Sequence, residues 1–249
     1  GTPADAMIAL HARRSAASIE SFATTLPGRP LVVVLTGTDL YRDIDTDHAA
    51  QASLRLADRL VVLQAAGARA LPARVRGKAR VIYQSAPPMR AQTRPVRHFV
   101  VCVAAHLRDE KDPFRAALAC AHLPADSRLR VDHIGAELQP GLAQTALALA
   151  ASQPRWHWLG ARAHGETRRR IAHAHLLLVS SAMEGGANVI CEAVQAGTPV
   201  IASDIPGNRG MLGADYAGYY PYGDTDALAA LLHRAETDPG FYRQLDRQC

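Results

Sequence analysis

The chain has 249 residues, 48% of them hydrophobic, and a formal net charge of +5 from 28 lysines and arginines against 23 acidic residues. That is apolar material for one large or two modest cores. No apolar run reaches the roughly 18 residues of a membrane span, and the opening Gly1-Thr2-Pro3-Ala4-Asp5 has neither the basic tip nor the apolar core of a signal peptide. An aromatic content of 5% argues against nucleic acid as a partner. Cys102, Cys120, Cys191 and Cys249 lack paired spacing, so neither a zinc site nor a disulfide framework is expected, and a reducing cytoplasm fits.

In chain order, apolar runs predict strands over 6–11, 31–36, 59–63 and 80–84, with helices over 15–25, 47–57 and near 65–71. A second series of strands follows over 98–104, 129–134, 156–159, 176–180, 200–202 and 219–220. Uniformly apolar strands alternating with helices imply an α/β chain whose parallel sheets are covered on both faces. The proline-rich stretch 86–95 suits neither sheet and reads as a linker. The division drawn is a first domain over 1–88, a linker over 89–97, a second domain over 98–235, and a helical segment over 236–249 that can return to the first domain. Asp43, Asp45 and Asp47 alternate like metal ligands, but Asp47 also suits a helix cap, and no metal site is expected. Arg168-Arg169-Arg170 reads as a solvated helix face.

Glu184 and Glu192 flank Gly185-Gly186-Ala187-Asn188 after the apolar run ending at Ser180. The spacing predicts a strand, a glycine turn and a short helix stopped by Gly197 and Pro199. Gly185 and Gly186 let a ligand approach the backbone, and Asn188 can cap a helix whose free N–H groups favour an anion. Carboxylates beside such a helix bind hydroxyl groups, so a sugar nucleotide is the expected ligand, with the ribose at one glutamate and the hexose at the other.

The string 181–188, then Glu192-Ala193 and 196–203, resembles the signature of retaining, nucleotide-sugar-dependent GT-B glycosyltransferases. The resemblance implies two doubly wound, Rossmann-like domains facing across a cleft. It also implies that the first domain lacks its N-terminal strand-helix units, on the order of 60 residues. Glu184 and Lys111 are then catalytic, and Glu192, Gly185, Gly186 and Asn188 bind the donor. The family's Gly-Arg-Leu ahead of the lysine is replaced here, so either His106 or Arg108 pairs with the diphosphate. Gly135 and Gly160 fall where backbone groups hold the base, and Arg209 lies in a second turn on the donor side. No cofactor is implied beyond the UDP-sugar substrate.

On the acceptor side, His11 precedes Ala12-Arg13-Arg14-Ser15, and Thr36-Gly37-Thr38 ends the next strand. Two neighbouring loops rich in N–H donors, hydroxyls and arginines suit a small anionic acceptor; the alternative is a satisfied core histidine among surface arginines. Strings 9–15, 35–43, 106–113 and 206–219 resemble a narrower group, the selenosugar synthases of selenoneine biosynthesis. That resemblance implies transfer of N-acetylglucosamine, or a related hexose, from its UDP ester to selenophosphate. His11, Arg13, Thr36, Gly37 and Thr38 would then grip the acceptor, with His11 counted as catalytic. A transferase for an alcohol acceptor and a non-catalytic sugar-nucleotide sensor remain as alternatives.

Overall fold

The computed structural model describes residues 4–90 and 92–249. The first sheet contains β1 (Met7–Leu10), β2 (Leu31–Val34), β3 (Arg59–Val62) and β4 (Ala79–Val81), in that order and all parallel. Between them lie α1 (Ala16–Thr25), a π-helical turn at Asp39–Asp43 that runs into α2 (Ile44–Thr46), then α3 (His48–Leu56), α4 (Ala65–Ala70) and α5 (Ala73–Arg76). Asp47 caps α3, accepting from the Ala50 N–H at 2.8 Å. The run Leu31-Val32-Val33-Val34 favours a strand because branched side chains fit a pleated, covered surface. Val33, Leu35, Leu60 and Val62 close on Ile19, Leu54 and Leu71 in one core. β4 stops at Val81, short of the expected 84: it is an edge strand with one neighbour, and Ile82 and Tyr83 lie exposed beyond it. β1 is the other edge and leaves Ile8 and Leu10 exposed on one face.

The second sheet contains β5 (Phe99–Ala104), β6 (Leu129–Ile134), β7 (Trp156–Trp158), β8 (Leu176–Val179), β9 (Val200–Ser203) and β10 (Tyr219–Tyr220). All pairs are parallel and the spatial order is β10-β9-β8-β5-β6-β7. Its helices are α6 (Arg115–Cys120), α7 (Leu142–Ser152), α8 (His164–His173), α9 (Asn188–Gln195), α10 (Pro206–Leu212), α11 (Thr225–Thr237) and α12 (Pro239–Gln248). Phe99, Val101 and Val103 meet Leu228, Leu232 and Phe241 on one face, whereas Cys102 meets Ile171 on the other. This alternation is what covering both faces of a parallel sheet requires, and each large side chain so buried contributes on the order of 2 kcal/mol.

One expectation needs correction. The C-terminal helix does not return to the first sheet: Phe241 and Leu245 join the core with Phe99, and the Tyr242 hydroxyl donates to His175 O at 2.8 Å. Linker residues lie against the second sheet's helices, with Met89 N–H donating to Gln195 O at 3.3 Å and Thr93 O accepting from His173 at 2.9 Å.

Strand order reverses beside β5, since β6 lies on one side of it and β8 on the other. Loops leaving the carboxyl ends of β5 and β8 therefore diverge and open a crevice, which is where α/β sheets bind ligands. The loops of the first sheet face this crevice, and the Arg42 guanidinium reaches Glu110 across it at 3.2 Å.

Candidate active site

Glu184 sits in the loop after β8 and is nearly buried. Lys111 Nζ and Ser181 Oγ both donate to its Oε1, at 2.5 and 2.6 Å, so that Oε2 is the oxygen left for a ligand. Lys111 comes from the loop after β5, held by a turn at Asp109–Lys111 and by Asp112 at φ 44°. Glu192 repeats the pattern one helix on. Its Oε1 takes His164 Nε2 at 2.7 Å and the Asn188 side-chain amide at 3.3 Å, again leaving Oε2 open among the described residues. His164 was not singled out from the sequence; its signal was a polar residue at the start of α8, facing α9.

Asn188 is the first helical residue of α9, not its cap. Ala187 occupies the extended cap position, no side chain caps the helix, and the Asn188 amide is drawn along the helix face to Glu192. Ile190 N–H turns back to Ala187 O at 2.9 Å, and the N–H groups of Asn188 and Val189 are left open among the described residues, Val189 lining the crevice. The far end closes as expected, with Gly197 at φ 67°, its N–H on Val194 O and Thr198 N–H on Ala193 O.

A cavity of about 280 Å³ is lined by His106, Gly135, Ala161, Arg162, His164 and Glu192. His106 accepts the Ala136 N–H on Nδ1 at 3.0 Å, which leaves Nε2 as its donor. Gly135 is required because a Cβ there would lie 1.9 Å from Ala105 O. Gly160, at φ 69°, is not brought to the cavity: its carbonyl accepts from Gly135 N–H at 3.0 Å. Arg209 is not brought there either. Its NH2 group pairs with Asp204 at 2.7 Å and its guanidinium lies over the Tyr219 ring, so the nearest carboxylate has captured it.

A larger cavity, about 450 Å³, joins both sheets. It is lined by His11, Arg14, Thr36, Gly37, Thr38 and Gln84 from the first and by Arg108, Glu110, Met183, Glu184, Gly185 and Gly186 from the second. The guanidinium groups of Arg14 and Arg108 have no hydrogen-bond or ion-pair partner among the described residues, and Arg108 Nε is shielded from solvent. Arg13, expected on the acceptor, is instead committed to Asp43 at 2.9 Å; its neighbour Arg14 faces the cavity.

Gly185 and Gly186 admit the other sheet. A Cβ on Gly185 would lie 2.7 Å from Gly37 N, and one on Gly186 would lie 2.7 Å from the Leu63 side chain.

His11 lies at φ 74°, buried, with Nδ1 2.5 Å from Asp39 Oδ1 and Nε2 3.0 Å from Thr38 Oγ1. Burial lowers its pKa, only partly opposed by the Asp39 charge, so the ring is held neutral. Burial likewise raises Asp39. For Asp43, burial pushes upward but hydrogen bonds from Arg42 and Arg13 prevail and hold it below the usual carboxylate range. Ligand atoms of His11, Asp39 and Asp43 lie within 4.8 Å of one another, with Arg13 and Arg42 supplying positive charge to that group.

The fold is that of several solved glycosyltransferases. HepE from Anabaena, in complex with UDP-glucose, superposes with a TM-score of 0.79 at 18% identity, over 98% of this chain and 71% of that one. Sucrose-phosphate synthase from Thermosynechococcus elongatus gives 0.77 at 17% identity, over 98% and 67%. The α,α-trehalose-phosphate synthase (UDP-forming) from Burkholderia xenovorans, in complex with glucose-6-phosphate, gives 0.74 at 11%, over 97% and 68%. At such identities the likeness establishes the GT-B fold: two parallel α/β sheets facing across a cleft. No curated protein matches the sequence. The sequence model of the family described as "Glycosyl transferases group 1" matches residues 88–248, about two thirds of the chain, and includes the Lys111, Glu184 and Glu192 loops. The chain belongs to the group 1 family of glycosyl transferases.

Proposed function

We propose that the protein is a selenosugar synthase, transferring N-acetylglucosamine or a related hexose from its UDP ester to selenophosphate in selenoneine biosynthesis. The observation that carries an anionic acceptor is the pair Arg14 and Arg108, two unpartnered guanidinium groups in the cavity that also holds Glu184. Selenium as the attacking atom rests on the likeness of strings 9–15, 35–43, 106–113 and 206–219 to selenosugar synthases. The relatives solved with UDP-glucose or as UDP-forming synthases support UDP as the leaving group.

In this reading Glu192 Oε2 takes the ribose hydroxyls, His106 and the α9 N-terminus take the diphosphate, and Glu184 Oε2 orients the hexose. Lys111 neutralises charge developing on the departing phosphate oxygen. The selenium of selenophosphate attacks C1, a carbon–selenium bond forms, the C1–O bond breaks, and its electron pair leaves with UDP. An anionic nucleophile needs no general base, so the acceptor side has to position an anion and nothing more. Metal assistance is dispensable where lysine, histidine and a helix terminus share the leaving charge.

A second reading has its own observation: the neutral imidazole of His11 is suited to take a proton from an alcohol acceptor. Incubation with UDP-N-acetylglucosamine, with and without selenophosphate, followed by mass spectrometry, separates the two. UDP release and a selenium-bearing sugar that both require selenophosphate are expected. Release only with an alcohol moves the assignment to the second reading, and binding without release under any acceptor makes the protein a sensor.

A further inference from the structure

At the opposite, amino-terminal ends of β5, β6 and β7 lies a separate cavity of about 500 Å³, within the size range of small-molecule sites. The length of β6 places it on the order of 20 Å from the crevice. Arg97, His98, Arg128, Arg130, Arg155 and His157 line it, and no carboxylate does.

These cations are not used up by the fold. Arg97, His98 and His157 have no side-chain hydrogen bond or ion pair among the described residues, and Nδ1 of His157 is shielded from solvent without a partner. Arg128 lies 4.0 Å from Glu236, whose two oxygens already accept from Ser127 Oγ and Arg128 N–H at 2.6 Å each, and one terminal nitrogen of Arg128 donates to Val96 O at 3.4 Å. Arg130 spends Nε on Asp132 at 2.8 Å. Arg155 is structural, with NH2 donating to Pro124 O and Ala125 O at 2.9 and 3.0 Å. Four guanidinium groups thus face two carboxylates, both outside the cavity wall.

The position follows from the fold. α8 covers the β5 and β8 part of this sheet face, while Arg130 and His157 stand on adjoining strands beside it, where charge remains in contact with water. Arginine forks match phosphate oxygens two at a time, so Arg97, Arg128 and Arg130 together are suited to two linked phosphate groups better than to one.

We propose that this cavity is a second ligand site, distinct from the crevice, that binds a small molecule carrying a diphosphate. The test is isothermal titration of the intact protein with inorganic pyrophosphate and, separately, with inorganic phosphate, at about 150 mM salt so that non-specific attraction is screened. Pyrophosphate is expected to bind in two classes, one in the crevice and one here. Lys111→Ala should weaken the crevice class and spare this one. A triple Arg97→Ala/Arg128→Ala/Arg130→Ala variant should lose this class and keep the other, with a cooperative circular dichroism melt lowered by only a few degrees from the lost Arg130–Asp132 pair. Arg97→Ala alone, which removes an unpartnered and exposed side chain, should weaken this class about tenfold. Phosphate should bind here at least tenfold more weakly than pyrophosphate. A triple-variant isotherm that superposes on the wild type overturns the site, and phosphate binding as tightly as pyrophosphate overturns the diphosphate assignment.

Discussion

Gly37 and Gly185 stand back to back across the cleft: a Cβ on Gly37 would lie 2.8 Å from Gly185 N, and one on Gly185 would lie 2.7 Å from Gly37 N. The obstructing atoms are backbone on both sides and cannot rotate away, so alanine at either position must push the two sheets apart. Neither glycine belongs to a hydrophobic core, and the cost falls on the site. Gly37→Ala, which leaves the donor loop's own sequence intact, is expected to lower kcat/KM by about a hundredfold while the thermal midpoint moves by only a few degrees. Wild-type turnover in Gly37→Ala would show that the close approach is not needed.

Lys111 and Ser181 converge on one oxygen of Glu184. In the proposed reaction Lys111 also faces the leaving group, so removing it takes away that charge and leaves a nearly buried carboxylate with a single donor. Lys111→Ala should reduce kcat by about a hundred- to a thousandfold, with a smaller change in KM, because the interaction strengthens as the phosphate oxygen departs. Ser181→Ala should cost about tenfold, the loss of one hydrogen bond to a charge. Steady-state kinetics on the purified variants measures both, and equal losses for the two would refute the division of labour.

Adjacent arginines separate folding from binding. Arg13 pairs with Asp43 and Arg14 faces the cavity. Arg14→Ala should raise the acceptor KM about tenfold or more and leave the melting temperature unchanged. Arg13→Ala should do the reverse, because Asp43 then keeps only Arg42 in a mostly buried setting; a loss of about 1 kcal/mol is expected by denaturant titration.

That pair also marks the limit of what the sequence discloses. The strands, their division into two parallel sheets and the Glu184 and Glu192 loops were legible because apolar runs and glycine turns are local signals. Which of two adjacent arginines faces a cleft depends on where Asp43 lies, 30 residues away in sequence, and no local pattern encodes that. Arg209 failed for a different reason, since the carboxylate that captures it, Asp204, is local, whereas His164 was overlooked because its partner Glu192 lies 28 residues away. The roles of Gly185 and Gly186 were read as room for a ligand; the same absence of Cβ also makes room for Gly37 and Leu63, a contact between sheets that a one-dimensional reading cannot see.

His133 ties the site to pH. It is fully buried, its Nε2 lies 2.9 Å from Ala105 O at the root of the loop carrying His106 and Lys111, and burial lowers its pKa from 6.5 to about 4. Between these values the unfolded chain binds a proton that the folded chain refuses, so stability must fall as pH falls from 6.5 toward 4. The slope from this group is at most about 1.4 kcal/mol per pH unit. His133→Gln keeps an N–H donor for Ala105 O but cannot titrate. It should be less stable than the wild type at pH 7 and lose less between pH 6.5 and 4.5 in urea titrations. Parallel losses in the two proteins would remove His133 as a source of acid sensitivity.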